Sequence, residues 1–191
     1  MLSPMFWHPA LYRLTVRVMY GTGFHRRYQA VADLTDGLET LDVCCGDGSL
    51  ANYLPKNQYR GVDLHQIFVS HCQRKGLSVM QLNIQNEPLP KTPCLVMMAS
   101  LYQFIPQHKK IVIELIRSAE HRVIISEPIQ NLATGKNSMV AWLAKRLADP
   151  VGGAAPYRFD EQSLRIFFDR FGFQRIIPNG RELIGVLDKI S

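Results

Sequence analysis

The chain has 191 residues, 47% of them hydrophobic, with 22 lysines and arginines against 16 acids for a formal charge of +6. That supplies one compact domain with its own core, and no internal repeat or low-complexity tract points to a solenoid or a disordered chain. Four cysteines, two adjacent (Cys44, Cys45) and two isolated (Cys72, Cys94), exclude a disulfide framework, set a zinc site aside and suggest reduced thiols in a cytoplasmic protein.

Residues 1–30 carry Phe6, Trp7, Leu11, Tyr12, Leu14, Val16, Val18 and Met19 together with Arg13, Arg17, Arg26 and Arg27, and no acid precedes Asp33. This pattern predicts an amphipathic basic helix. Lysine and arginine are absent before Arg13, and arginines interrupt the apolar run, so it reads neither as a signal peptide nor as a membrane span. Two uses are open: packing its apolar face on a sheet with the arginines in water, or forming a lid whose arginines face an anionic substrate or a membrane surface.

Residues 39–51 are the most informative stretch: an apolar run containing Asp42 passes through Cys44 and Cys45 into Gly46-Asp47-Gly48, and a helical pattern follows over 49–55. A glycine turn between a strand and a helix lets backbone N–H groups come close to a small ligand. As Gly46-x-Gly48-x-x-Ala51 the loop matches the spacing of a dinucleotide fingerprint, and a dehydrogenase is one reading. Asp42, however, would repel a pyrophosphate and welcome a cationic amino group. The next strand, 59–64, ends on Asp63, fifteen residues after Gly48, where a carboxylate can accept from two ribose hydroxyls. A nucleoside bearing an amino acid satisfies both acids.

Further along, the periodicity predicts a helix over 65–75, strands over 77–83 and 94–100, a helix over 106–119 opening at Pro106, and a strand over 121–127. Residues 128–158 then break the alternation, with a helix expected at 137–148 around Met139, Trp142, Leu143 and Leu147 and a loop at Gly152-Gly153-Ala154-Ala155-Pro156. Asp160 is placed to cap a helix running through Phe171 and ended by Gly172. Strands 173–177 and 182–187 flank Pro178-Asn179-Gly180-Arg181 as a hairpin. The sum is an α/β protein: a seven-stranded, mainly parallel sheet with helices on both faces and a C-terminal antiparallel hairpin, forming one domain over 1–191.

Residues 39–127 resemble the S-adenosylmethionine (SAM) core of class I methyltransferases, and Leu-Asp-Val-Cys-Cys-Gly-Asp-Gly is similar to the loop of the ubiquinone and menaquinone C-methyltransferases, where paired cysteines also occur. The resemblance implies that Asp42 and the Cys44 to Gly48 loop, with Gly46, Asp47 and Gly48, hold the methionine end of SAM. It implies Asp63 at the ribose, Leu64 on one adenine face and Asn83 and Ile84 at the adenine edge. Many members of that family carry glycine where Cys44 stands and aspartate where Asn83 stands.

The sulfonium of SAM is a good leaving group, so such an enzyme mainly aligns acceptor, methyl carbon and sulfur and excludes water. In similar enzymes the turn Ser100-Leu101-Tyr102-Gln103-Phe104 passes beside the reactive methyl, which makes Ser100 a cofactor contact and Tyr102 and Gln103 candidates to orient the acceptor. Glu127, closing the fifth strand, is the third catalytic candidate, as substrate contact or general base. For Tyr102 the alternative is a packed aromatic; for Glu127 it is a surface carboxylate paired with an arginine.

The expected activity is therefore SAM-dependent O- or C-methylation of a small-molecule, lipid or glycan acceptor, covered by the 1–30 lid and the 128–158 insertion. The positive charge admits a nucleic-acid methyltransferase as an alternative, but the chain has no appended RNA-binding module, no lysine-rich run and no Asn-Pro-Pro-aromatic signature after the fourth strand. A non-catalytic SAM-binding or scaffold protein of the same fold is the other alternative. Peripheral membrane contact through the N-terminal basic helix is a further expectation, and nothing in the sequence specifies an oligomeric state.

Overall fold

In the computed structural model the described residues are 8–129 and 159–189. They form two N-terminal helices, α1 (Pro9–Tyr20) and α2 (Gly23–Leu34), followed by β1 (Thr40–Val43), β2 (Tyr59–Asp63), α3 (Gln66–Arg74), β3 (Ser78–Gln81), β4 (Thr92–Met98), α4 (His108–Ser118) and β5 (Ala119–Pro128). After the insertion come α5 (Glu161–Arg170), β6 (Arg175–Asn179) and β7 (Glu182–Asp188). The seven strands lie in the order β3-β2-β1-β4-β5-β7-β6. β1 to β5 are mutually parallel where they pair, and β7 runs antiparallel to both β5 and β6. This is the sheet the sequence predicts, and the order reverses between β1 and β4, the place where open α/β sheets bind ligands.

The central strands are buried on both faces, so they read as apolar runs and alternate residues serve opposite cores. On one side Val16, Phe24, Val31 and Val69 of α1, α2 and α3 pack with Val96, Ile124 and Ile184. On the other, Val112, Leu115, Leu164 and Phe168 of α4 and α5 pack with Leu95, Val123 and Leu183. Each large side chain so buried contributes on the order of 2 kcal/mol. A buried ion pair fastens the N-terminal helices to the hairpin: Arg27 Nη2 lies 2.8 Å from Glu182 Oε1, which also accepts from the Tyr20 hydroxyl at 2.8 Å. Ser126 donates to the other oxygen of Glu182 at 3.0 Å.

Several boundaries differ from expectation by a residue or two, β4 and β5 each starting two residues early, and four differences have a local cause. The N-terminal segment is two helices rather than one, because Gly21 takes φ +52° and closes α1 through its N–H on the Arg17 carbonyl. The helix after the glycine turn is a 3-10 segment, Ser49–Tyr53; Pro55 leaves too little chain for a settled α-helix. α4 starts at His108, two residues past Pro106. β6 continues through Pro178 and Asn179, because β6 is the edge strand and proline's missing N–H costs no ladder bond there. Asp160 caps α5 as expected, accepting from the Ser163 N–H at 2.7 Å. Phe6, Trp7, the helix expected at 137–148 and the 152–156 loop lie outside the described residues.

Candidate functional site

The strand-turn-helix predicted around Gly46 stands at the carboxyl end of β1. The Gly46 N–H donates to Asp63 Oδ2 at 2.9 Å, so the end of β2 holds the glycine turn. The other oxygen of Asp63 accepts from the His65 N–H at 2.9 Å, with His65 Nδ1 at 3.3 Å. A carboxylate has about four acceptor directions, so the two backbone N–H donors leave two for a ligand's hydroxyls when His65 Nδ1 carries no proton, and one when it does. Gly48 has φ +69°, and a Cβ there would strike Leu77 Cδ1 at 2.8 Å and Cys72 Sγ at 3.0 Å. A side chain there would have to displace both and hold left-handed backbone, so the corner favours glycine.

Asp42 is 4% exposed and accepts from the Tyr59 hydroxyl at 3.0 Å. The phenol reaches it across Gly61, whose added Cβ would come within 3.0 Å of that hydroxyl. Burial pushes the Asp42 carboxyl up to about 7, against the pull of the Tyr59 bond and with Asp63 and Asp47 adding repulsion. Asp47 is also buried; Ser49 caps it at 2.7 Å and 2.9 Å, and Arg13 Nε of α1 pairs with it at 3.1 Å. Its neighbour in the helix, Tyr12, lays its ring against Gly46, 3.4 Å from where a Cβ would be, and packs edge-on to Phe68 with 5.2 Å between ring centroids. α1 therefore covers the glycine turn.

Two residues other than glycine carry left-handed backbone at the switch point: Cys44 after β1 (φ +61°) and Ala99 after β4 (φ +48°). Such strain collects where a site over-determines the chain. The Cys44 thiol is held well above its ordinary range by burial, with Asp63, Asp42 and Glu127 adding to it, which disfavours the thiolate.

At the end of β2, Leu64 is 48% exposed. Asn83, half-buried past β3, uses its amide oxygen to accept from the Gln85 N–H at 3.1 Å, while its own N–H donates to Glu87 at 2.8 Å; Ile84 is buried beside it. After β4, Leu101–Phe104 forms a 3-10 turn with Tyr102 half-buried and Gln103 exposed. Glu127 anchors that turn. Its Oε1 accepts from the N–H groups of Ser100 and Leu101, both at 2.7 Å, and its Oε2 from Tyr102 at 3.4 Å. It is fully buried, and burial pushes its carboxyl up to about 7 against those three bonds. The surface-carboxylate alternative is thus corrected: the side chain points back under the turn, and an arginine is not among these partners.

The structure brings Asp42, Cys44, Gly46, Asp47, Gly48 and Asp63 into one cluster, and Ser100, Tyr102, Gln103 and Glu127 into a second at the next strand end. Leu64, Asn83 and Ile84 follow β2 and β3. Sequence reading missed Tyr59 as a partner of Asp42; it placed Tyr12 and Arg13 in the N-terminal lid but not on Gly46 and Asp47. The one signal for Tyr59 was its place two residues before a glycine in register with Asp42.

The order 3-2-1-4-5-7-6, with the glycine turn and two strand-terminal acids, is that of the class I SAM-dependent methyltransferases. The chain belongs to the family described as methionine biosynthesis protein MetW, whose family model matches residues 26–167. Comparison with curated proteins gives no match. Among solved structures it is similar to magnesium protoporphyrin IX methyltransferase of Synechocystis PCC 6803, solved with bound SAH, at 18% identity over 92% of this chain and 93% of that one, TM-score 0.66. It is also similar to mitomycin 7-O-methyltransferase (15% identity, 97% of this chain and 59% of that one, TM-score 0.64). A SAM-dependent methyltransferase from Aquifex aeolicus gives 17% identity over 81% and 83% of the two chains, TM-score 0.55. These likenesses are likenesses of fold.

Proposed function

We propose that the protein binds SAM and transfers its methyl group to a small-molecule, lipid or glycan acceptor by O- or C-methylation. The observation that carries this reading is the pair of buried acids, Asp42 and Asp63, closing neighbouring strands on either side of a glycine turn. Asp63 keeps acceptor directions for ribose hydroxyls. Asp42, buried beside two other acids, favours a cationic amino group, and the backbone from Cys44 through Gly46, Asp47 and Gly48 lies next to it. Leu64 offers an apolar surface to one adenine face, and Asn83 and Ile84 flank its edge.

SAM supplies an activated methyl on a neutral leaving sulfide. The protein's part is then to align and to exclude water. In this reading Ser100 lies beside the cofactor, Gln103 and Tyr102 orient the acceptor, and Glu127 is a positioning residue that fixes their turn rather than the general base. α1 covers the pocket on the side of the glycine turn. That the similar structures include porphyrin and mitomycin methyltransferases supports a small acceptor.

Incubation with methyl-labelled SAM and a fractionated cell extract tests the reading. Label is expected in the small-molecule, lipid or glycan fraction. Label confined to RNA or DNA, or bound SAM with no transfer to any fraction, would overturn it.

A further inference from the structure

A helix laid on a domain ordinarily turns its apolar residues inward and its charges outward. α1 departs from this. Tyr12 and Val16 face inward, yet Leu11, Leu14 and Val18 stand on the outward face, 41%, 58% and 67% exposed. Single exposed leucines are ordinary on a protein surface, but three at i, i+3 and i+7 make a continuous stripe.

The surroundings of the stripe are basic. Exposed Arg17 flanks it along α1, with half-exposed Arg13 beyond it paired to Asp47, and exposed Arg181 reaches the end of the helix, donating to the Met19 carbonyl at 3.3 Å. No acid occurs in the sequence before Asp33. Among the described residues no helix is long and apolar enough to cross a bilayer.

We propose that this face of α1 docks on an anionic lipid bilayer, with Leu11, Leu14 and Val18 entering the acyl boundary and the arginines meeting the headgroups. An outward apolar stripe edged by arginine is the pattern of interfacial helices, and anionic headgroups supply the opposite charge. A second copy of the chain fits less well, since a two-fold contact through α1 would bring like-charged arginines together. On its inner side the same helix rests on Gly46 and Asp47, so docking sets the carboxyl ends of the strands at the bilayer surface. The proposal does not rest on the cofactor reading.

Co-sedimentation of the full chain with phosphatidylcholine vesicles, with and without about 30% phosphatidylglycerol, is the test. Binding to the anionic vesicles is expected to be at least about tenfold stronger and to fall steeply as salt rises from about 0.05 M to about 0.5 M. A Leu14→Glu/Val18→Glu variant, checked for native circular dichroism, should lose about tenfold in vesicle binding, and Arg17→Glu should lose less. Ile166→Glu, at an exposed apolar site on α5 across the sheet, should bind as the parent does. Equal binding to both vesicle types, no binding to either, or unchanged binding by the double variant would overturn the proposal. So would a double variant that only turns a dimer into a monomer. Titration of SAH into the same proteins reads the cofactor site separately.

Discussion

Asp42 is a carboxylate held where water would serve it better. Its folded-state value near 7 lies above the ordinary 3.8, so the native protein binds that proton more tightly than the unfolded chain does. The stability this group confers is therefore present at low pH, declines as pH rises from about 4 to about 7, and beyond that becomes a full penalty of up to about 4 kcal/mol. Asp42→Asn keeps an acceptor for Tyr59 and removes the charge. At pH 8 it should raise the melting temperature of the ligand-free protein by roughly 5 °C, a gain that shrinks toward pH 5, while weakening SAH binding. In the parent, SAH affinity should peak at about pH 8, fall by up to about tenfold per unit below about pH 7 as a proton displaces the cationic partner, and fall again at alkaline pH as the ligand's own ammonium deprotonates. A melting gain independent of pH would contradict this assignment.

The strained residues allow a second prediction at the same scale. Ala99→Gly relieves left-handed backbone and should stabilise by about 0.5 to 1 kcal/mol, whereas Cys44→Val, β-branched at φ +61°, should cost about 2 kcal/mol or more in a denaturant titration. Glycine at the Cys44 position was visible as the family's habit. That Ala99 shares the conformation was not, because nothing in Met98-Ala99-Ser100 marks a turn.

Among the elements, the turn after β4 depends on a residue distant in sequence. Glu127 satisfies three backbone N–H groups at once, and Glu127→Gln sets an amide NH2 against at least one of them. The expected cost is about 3 kcal/mol in unfolding free energy at about pH 5, shrinking as pH rises through about 7 because the parent's buried carboxylate then bears its own ionisation penalty, with Glu127→Ala at least as severe. A Glu127→Gln protein of parental stability would remove its positioning role. The elements themselves were legible where an apolar run between turn signals, or a period of 3.6, was uninterrupted: all seven strands, α3, α4 and α5. They were less so where single residues decide, as at Gly21, which splits the N-terminal helix, or at Pro178, whose tolerance depends on β6 being an edge. Glu127 was expected to turn its carboxylate toward substrate and instead turns it under the Ser100–Tyr102 turn, because sequence carries no sign of which way a strand-terminal side chain turns.

The whole molecule is a doubly covered sheet whose switch point lies between β1 and β4, with α1 closing over the glycine turn and Arg27 and Glu182 locking the N-terminal helices to the hairpin. Topology was readable because the parallel core and the closing hairpin each have a local signature; the seating of α1 was not, since its contacts, Tyr12 on Gly46 and Arg13 on Asp47, join residues remote in sequence. The proposed function puts a site for an adenosyl amino acid between Asp42 and Asp63. Isothermal calorimetry with SAH, on the parent and on Asp63→Ala, tests that most directly. The parent should bind one equivalent, and the variant should bind at least about tenfold more weakly, as expected for loss of charge-assisted bonds to two hydroxyls. No heat of binding at saturating SAH, or equal affinity in the two proteins, would contradict the account.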